Sequence, residues 1–307
     1  MRWVRFNRTI EPLATARLGV VLAGEVVADL RAGYALSLHE QGDPHAREIA
    51  GIRVPRALAP LLASGPLDAD FLNPLVPWLS DRVAADPAVC GLEGEPLFTP
   101  LADCRLHAPL RLTNLIVAHD SYAPSAGPRF SMRPSGAVVG PTRDITCPAG
   151  IEALQCAAGL AVVIGSRCNN LAEREVADVI AGYTVMTAVS ARGAVRRDGG
   201  GLFESGMYES FAPSGPWLVT KDEIPDIAEV RVEMRVNGEL RQQFSPAQMT
   251  WSPHRMVALL SRMTLQPGDV VFTGGFRRFD DEVVVRVGDV IESAVLPLGV
   301  IRNRVVN

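Results

Sequence analysis

The strongest local constraint on this chain is a strictly alternating segment that ends in a turn signal. Residues 229–236 read EVRVEMRV, which places valine and methionine on one face of a strand and arginine and glutamate on the other. Such alternation predicts a half-buried β-strand. Asn237-Gly238 follows, and both residues tolerate a positive φ, so the pair predicts a tight hairpin with a return strand at 239–244.

The rest of the second half is also rich in strand patterns and contains two marked helices. Apolar runs predict strands at 160–165, 269–273, 282–287 and 289–296. Asn170 with Glu173 resembles a capping box and predicts a helix over 171–183. Ser252-Pro253 predicts the start of a helix over 254–263, because proline is well tolerated in the first helical turn.

The first third of the chain predicts a separate small unit. Its first 35 residues form short β-like runs, 54–64 and 69–86 predict helices, and 87–110 is rich in Pro and Gly and predicts a linker. We therefore expect an N-terminal β/helical domain with its linker at 1–108 and a second domain at 109–307, with the boundary near 105–110. Many strands, few helices and no βαβ rhythm predict an α+β fold, a mixed β-roll or barrel with flanking helices.

Composition excludes several classes of protein. The net charge of −4 gives no general attraction to nucleic acid or anionic membranes, and no apolar run approaches the length of a membrane span. The N-terminus lacks the apolar stretch of a secretory signal, so the cytoplasm is the expected location. Five cysteines without a CxxC pair argue against a disulfide framework or a zinc site, and a single lysine, Lys221, disfavours Schiff-base catalysis.

Residues 112–307 contain a set of ordered motifs. They are AVVIG at 161–165, AGYTV at 181–185, SAR at 190–192, FAPSGPWLVTKDEI at 211–224, VNGEL at 236–240, LLSRMTLQPGDVVFTG at 259–274, and GDVIE with a late LGVIRNRV. Together these motifs resemble the fumarylacetoacetate hydrolase family. The first 50 or so residues resemble the small N-terminal β-domain of some bacterial members. The resemblance implies the family's mixed β-roll fold, and the family's habit implies a homodimer.

When the chain is aligned with the family on the shared AVVIG and GYTV, other residue types stand at the family's metal-binding positions. The resemblance implies two glutamates and one aspartate that hold magnesium or manganese, and these positions fall on Ala157, Gly159 and Ala188. None of the three side chains can bind a metal, so the chain is expected to work without a metal cofactor.

Further family positions are also replaced, mostly by small residues. The active-site lysine falls on Gly206, and the threonine and proline of a turn fall on Gly275 and Phe276. The lysine of a KP pair becomes Arg133, and the histidine of the family's lid segment is absent. Five of the replaced positions now carry only alanine or glycine, which predicts that the family's pocket is retained but wider and less polar. Its expected lining is Ala157, Gly159, Ala188, Gly206, Gly275, Phe276 and Cys156. The alternative is that Ala and Gly are simply abundant in this composition.

Four polar residues remain as candidates for chemistry. Arg133 and Arg192 could clamp an enolate or carboxylate oxygen, or form structural salt bridges. Tyr122 could orient a substrate or donate a proton, or lie in the core. His119 is the best general-base candidate among the five histidines, although a satisfied loop histidine is the alternative. Cys156 fits a buried, inert thiol better than a nucleophile.

Two functions from different classes follow from these residues. The first is a metal-independent enzyme of specialised biosynthesis that acts on a β-dicarbonyl or polyketone-like small molecule. Its reaction would be cyclisation, dehydration, isomerisation, hydrolysis or lyase-type C–C cleavage through an enolate. The second is a catalytically silent homologue that binds a small molecule or supports a paralogous subunit.

Overall fold

The computed structural model describes residues 1–12, 15–65, 71–110, 114–123, 127–191, 204–275 and 283–307. Its helices are α1 (Leu30–Glu40), α2 (Ala46–Arg53), α3 (Leu58–Ala63), α4 (Leu72–Ala85), α5 (Val176–Val179) and α6 (Pro253–Leu260). Its strands are β1 (Arg2–Arg8), β2 (Arg17–Leu22), β3 (Val26–Asp29), β4 (Phe98–Pro100), β5 (Cys104–His107), β6 (Leu115–His119), β7 (Arg129–Arg133), β8 (Val138–Val139), β9 (Ile145–Thr146), β10 (Leu154–Ile164), β11 (Ile180–Ala191), β12 (Ala212–Thr220), β13 (Arg231–Val236), β14 (Glu239–Phe244), β15 (Val270–Phe272), β16 (Val283–Val285), β17 (Val290–Leu296) and β18 (Gly299–Val306).

The strands form two sheets, and the long pair β10–β11 lies near the middle of the larger one. The main path of that sheet runs β4-β3-β2-β1-β12-β11-β10-β15-β6-β7, and the smaller sheet runs β14-β13-β17-β18-β9. One face of the larger sheet packs on the smaller sheet, and its other face packs on the N-terminal helices. The α+β class is therefore confirmed, while the described strands do not close into a barrel.

The hairpin predicted from the alternating segment is present as expected. β13 and β14 pair antiparallel, and Asn237 and Gly238 connect them with φ values of 53° and 86°. Val232, Met234 and Val236 are buried, while Glu233 and Arg235 are partly exposed. The predicted start of α6 is also present, because the Ser252 hydroxyl accepts a hydrogen bond from the Arg255 amide at 3.1 Å.

The extent of one predicted helix was wrong, and one helix was not predicted. The segment 171–183 forms a 3₁₀ turn at Glu173–Glu175 and the single turn of α5 before β11 begins at Ile180, because the pairing of β11 with β10 overrides local helix preference. The first 35 residues were expected to hold only strands, but α1 begins at Leu30. Its cap is visible in sequence: the Asp29 carboxylate accepts hydrogen bonds from the Arg31 and Ala32 amides.

The predicted linker at 87–110 is also structured, because it contains β4 and β5. β1 pairs with β2 along one edge, and its other edge is shared by β5 and by β12 of the second predicted domain. The N-terminal helices share one apolar core with residues of β6, β10 and β15. The two predicted domains therefore share one sheet and one apolar core. The domain boundary near 105–110 stays a prediction.

Within the described ranges, no helix is both long and apolar enough to cross a bilayer.

Candidate active site

The candidate site lies where the edge of β10 changes its partner. Residues 154–156 of β10 pair with β16, and residues 161–163 pair with β15. The chain between β15 and β16 leaves the sheet after Gly275, and a cavity of about 50 Å³ lies at this point. The polar residues that line it are His119, Asp120, Arg133, Gln155, Ser190 and Ser205.

Two of the three aligned family metal positions line this cavity. Ala157 lies directly opposite Ala188 in the β10–β11 ladder, and both line the cavity. Gly159 follows two residues later and therefore belongs to the same face of the strand. Ser190 and Gln155 are the next cross-strand pair on that face. Ser190 was not predicted, although its spacing of two residues from Ala188 would have indicated it.

The glycines of this region do not leave empty space beside them. A Cβ at Gly159 would lie 2.8 Å from the Gly274 carbonyl oxygen and 2.9 Å from the Phe272 ring. A Cβ at Gly275 would lie 2.7 Å from the Ala157 methyl. The expected widening is therefore absent at these described positions, because neighbouring groups occupy the volume that larger side chains would need.

Arg133 fills the space beside Gly206. A Cβ on Gly206 would lie 2.8 Å from Cζ of the Arg133 guanidinium. Nη1 of Arg133 donates to the Phe211 carbonyl at 2.5 Å, and Nε has no hydrogen-bond partner among the described residues. The side chain is buried, it forms no ion pair within the described ranges, and desolvation lowers the pKa of Arg133 to about 10. Such a buried, underpaired cation is costly and provides a donor for an anionic ligand.

His119 lies on the same face of its hairpin as Arg133. In the β6–β7 register, Leu115 faces Arg133 and Val117 faces Ser131, so alternate residues from Leu115 to His119 share that face. Nε2 of His119 is 2.8 Å from the Ser131 hydroxyl, which orients the ring. The structure therefore brings His119 and Arg133 together at one cavity.

Asp120 and Tyr122 are directed to other partners. Asp120 has a φ of 61°, and its carboxylate forms an ion pair with Arg129 at 2.7 Å. The Tyr122 ring packs edge-on against Phe244 with a centroid distance of 5.3 Å, and burial raises the pKa of its hydroxyl. Tyr122 is not among the described residues that line the cavity, so its predicted catalytic role has no geometric support.

Cys156 contributes to the cavity wall, and its side chain belongs to the core between the two sheets. Desolvation by burial raises the pKa of its thiol to about 12. Ser205, which was not predicted, is buried at the cavity, and no sequence signal marked it. Arg192 and Phe276 lie outside the described residues.

Comparisons with known proteins place the chain in a family. The profile of the fumarylacetoacetate (FAA) hydrolase C-terminal family matches residues 112–306. The chain belongs to the fumarylacetoacetate hydrolase family. The protein Rv2993c of Mycobacterium tuberculosis is 32% identical over 230 residues, which cover 69% of this chain and 84% of that protein. A mitochondrial oxaloacetate tautomerase of Xenopus laevis is 36% identical over 180 residues, which cover 56% of each chain.

A solved structure corrects the prediction about cofactors. Maleylpyruvate hydrolase from Sphingobium sp. SYK-6, in complex with manganese(II) and pyruvate, is 27% identical to this chain with a TM-score of 0.70. The alignment covers 100% of this chain and 99% of the hydrolase. This family member binds manganese(II), so the expectation of no metal cofactor is wrong. It rested on the three aligned positions Ala157, Gly159 and Ala188.

The described residues themselves fit a hard divalent metal poorly. Ala157, Gly159 and Ala188 have no donor atoms, and within the described ranges no group of three or more His, Cys, Asp or Glu side chains converges. Mg²⁺ and Mn²⁺ favour carboxylate oxygens, whereas Gln155 and Ser190 offer neutral donors. Asp120 is the one carboxylate among the described lining residues, and it is paired with Arg129 at 2.7 Å.

The close contact at Gly159 gives the first testable prediction. Gly159→Ala is expected to lower the free energy of unfolding by about 1–3 kcal/mol, since the added methyl overlaps a backbone carbonyl. The matched control is Gly51→Ala in α2, where no described atom lies within 4 Å of the new Cβ. That change should stabilise the protein by about 0.5–1 kcal/mol through helix propensity. Urea unfolding measures both, and a Gly159→Ala protein as stable as wild type would contradict the packing described.

The buried guanidinium gives the second prediction. Because the folded-state pKa of Arg133 is lowered to about 10, folding disfavours the charged form; stability should rise as the pH increases from about 10 towards the ordinary arginine value. At neutral pH, Arg133→Met removes this desolvation cost and should raise the free energy of unfolding by about 1–3 kcal/mol. The Phe211 carbonyl still accepts a hydrogen bond from the Val189 amide at 2.9 Å. Arg133→Lys, which keeps a buried cation, is the control, and a destabilised methionine variant would refute the interpretation.

The third prediction concerns Cys156. With its thiol pKa raised to about 12, Cys156 is protonated at neutral pH and should not react with a disulfide reagent in the native protein. Cys90 is exposed and should react first. Mass-spectrometric mapping in a Cys90→Ser variant tests this, and rapid native labelling of Cys156 would reopen its role as a nucleophile.

Proposed function

We propose that the chain is an enzyme that interconverts the keto and enol forms of a small 2-oxo or β-dicarbonyl acid. The observation that carries the proposal is the buried guanidinium of Arg133 at a cavity that His119 also lines. The oxaloacetate tautomerase of Xenopus laevis and the maleylpyruvate hydrolase of Sphingobium support this substrate class, because both names denote 2-oxo acids.

The two residues supply the two things that tautomerisation needs. When a proton leaves the carbon beside a carbonyl, negative charge collects on the carbonyl oxygen. A guanidinium in a low-dielectric site stabilises that charge without reorganisation, so Arg133 is the oxyanion donor. His119, oriented by Ser131, accepts the carbon proton and returns a proton to the enolate oxygen to give the enol.

Tautomerisation makes lower demands on the site than hydrolysis does. It transfers protons only, whereas C–C cleavage also needs a water nucleophile and a base to activate it. Tautomerisation and isomerisation form an enolate by loss of a carbon-bound proton, whereas retro-Claisen cleavage releases an enolate when the C–C bond breaks, so stabilisation of an enolate oxygen serves all three. The homodimer, the cytoplasmic location and a place in specialised biosynthesis stay predictions.

A catalytically silent homologue is the second candidate. The cavity of about 50 Å³ favours it, because pockets for small organic ligands usually measure roughly 300–1,000 Å³. The loss of donors at Ala157, Gly159 and Ala188 points the same way. In this case the chain binds a ligand without turnover or supports a paralogous subunit.

The fourth prediction separates the two candidates. Purified protein should accelerate the enol-to-keto conversion of oxaloacetate, measured by the decay of enol absorbance, with EDTA and with added manganese in parallel. Arg133→Met should lower kcat/KM by about 100-fold or more, the scale of losing one oxyanion donor. His119→Gln should lower kcat by about 10²-fold.

Arg241→Ala, an exposed arginine on β14, is the matched control and should keep the wild-type rate. An active Arg133→Met variant would refute the assigned role of the guanidinium. No turnover of oxaloacetate or acylpyruvates by wild type under either condition would favour the silent homologue.

A further inference from the structure

A second and much larger cavity lies away from the candidate active site. It measures about 880 Å³ and is formed between strands β1 and β5 and the segment 135–143. Its cationic wall consists of Arg5, Arg105 and Arg143, and His107 lies among them. None of the described residues that line it also lines the cavity beside Arg133. We call it the arginine groove.

The register of two strands concentrates these cationic groups on one face. Arg5 of β1 lies directly opposite His107 of β5, and Asn7 lies opposite Arg105. Residues opposite each other share a face, so Arg5, Arg105 and His107 project together. Like charges on neighbouring strand positions are destabilising unless a counter-charge is present.

No counter-charge from the described protein lines the groove. No Asp or Glu is among its described lining residues, and neither Arg105 nor Arg143 makes an ion pair within the described ranges. Asp144 follows Arg143 in sequence but is exposed and does not belong to that lining. The chain as a whole carries a net charge of −4, so this cluster opposes the overall charge.

The groups of the groove are held in place by buried hydrogen bonds. Nε2 of His107 is 2.6 Å from Oδ1 of Asn7, whose side chain is fully buried. The Asn7 amide nitrogen donates to the Arg8 and Glu11 carbonyls, which leaves its oxygen as an acceptor and His107 Nε2 as the donor. The imidazole is therefore fixed in one tautomer and orientation.

The opposite wall is packed equally closely. A Cβ on Gly140 would lie 3.0 Å from the Leu106 carbonyl oxygen, so the loop contacts β5 directly. The backbone carbonyl of Arg143 accepts a hydrogen bond from the side-chain amide Nδ2 of Asn303 at 2.7 Å, which anchors the segment 135–143. A preorganised wall of donors reduces the entropic cost of binding a ligand.

We infer that the arginine groove binds a small organic anion that carries at least two carboxylate or phosphate groups. Arginine forks match both groups in bidentate geometry, so Arg105 and Arg143 suit two such groups. The volume lies in the range of small-ligand pockets. Leu110 and Val138 line the remainder and suit a carbon skeleton rather than an inorganic ion.

The test is isothermal titration of the full-length protein with citrate and, separately, with ATP without metal, at low ionic strength. The two probes distinguish a polycarboxylate from a phosphate ligand, and inorganic pyrophosphate tests whether a carbon skeleton is needed. We expect saturable binding of one ligand per chain for citrate or ATP. Arg105→Ala and Arg143→Ala should each weaken it by about tenfold or more, and lysine at either position should partly restore it.

Arg241→Ala again serves as the matched control and should leave the affinity unchanged. No saturable binding of any probe, or an equal loss in the Arg241→Ala variant, would overturn the inference. Sedimentation of the Arg105→Ala/Arg143→Ala protein completes the test. A change of oligomeric state without any anion would show that the groove is an interface between copies, which also overturns it. Oxaloacetate turnover is measured by a separate assay, so failure here leaves the proposed function intact.

Discussion

The long antiparallel ladder between β10 and β11 is the constraint on which the rest of the structure depends. It runs from the Leu154–Ala191 pair to the Ile164–Ile180 pair. Even-numbered residues of β10 pack toward the smaller sheet, while Ala161 and Val163 pack toward the N-terminal helices. A one-residue slip would exchange these two faces and expose both cores. The same register brings position 157 opposite position 188, so the ladder that holds the fold also assembles the site.

Arg133 shows how a site and its stability oppose each other. Burial of the Arg133 guanidinium lowers the free energy of unfolding. Gly206 makes this burial possible, because the guanidinium occupies the volume that a side chain at position 206 would need. Because replacing a buried charge by an apolar side chain of similar volume is often neutral or stabilising, the burial of Arg133 favours a role other than stability. The small residues around the cavity therefore serve close packing and the placement of one cation, and they do not produce a wide pocket.

The sequence predicts features that are decided locally and misses those decided by distant partners. The Asn237-Gly238 hairpin and the Ser252 cap follow from residues adjacent in the chain, and both are present. The segment 171–183 has helical periodicity, yet its second part joins β10, which no local pattern reveals. The alignment of family motifs places Ala157 and Ala188 at the site. It could not show that Arg133 occupies the volume beside Gly206, because those two residues are far apart in sequence and meet only in the fold.

The pairing of β1 with β12 constrains the order in which the protein can fold during synthesis. Arg2 pairs with Val219, so the first strand waits for a partner that the ribosome makes roughly 200 residues later. At typical elongation rates this delay is on the order of 10–40 s. Over that interval β1 can pair with β2 along one edge and with β5 along most of the other, so only Arg2 and Trp3 wait for β12. The start of the chain therefore completes its place in the sheet through a late, long-range pairing, which is the kind of contact that slows folding.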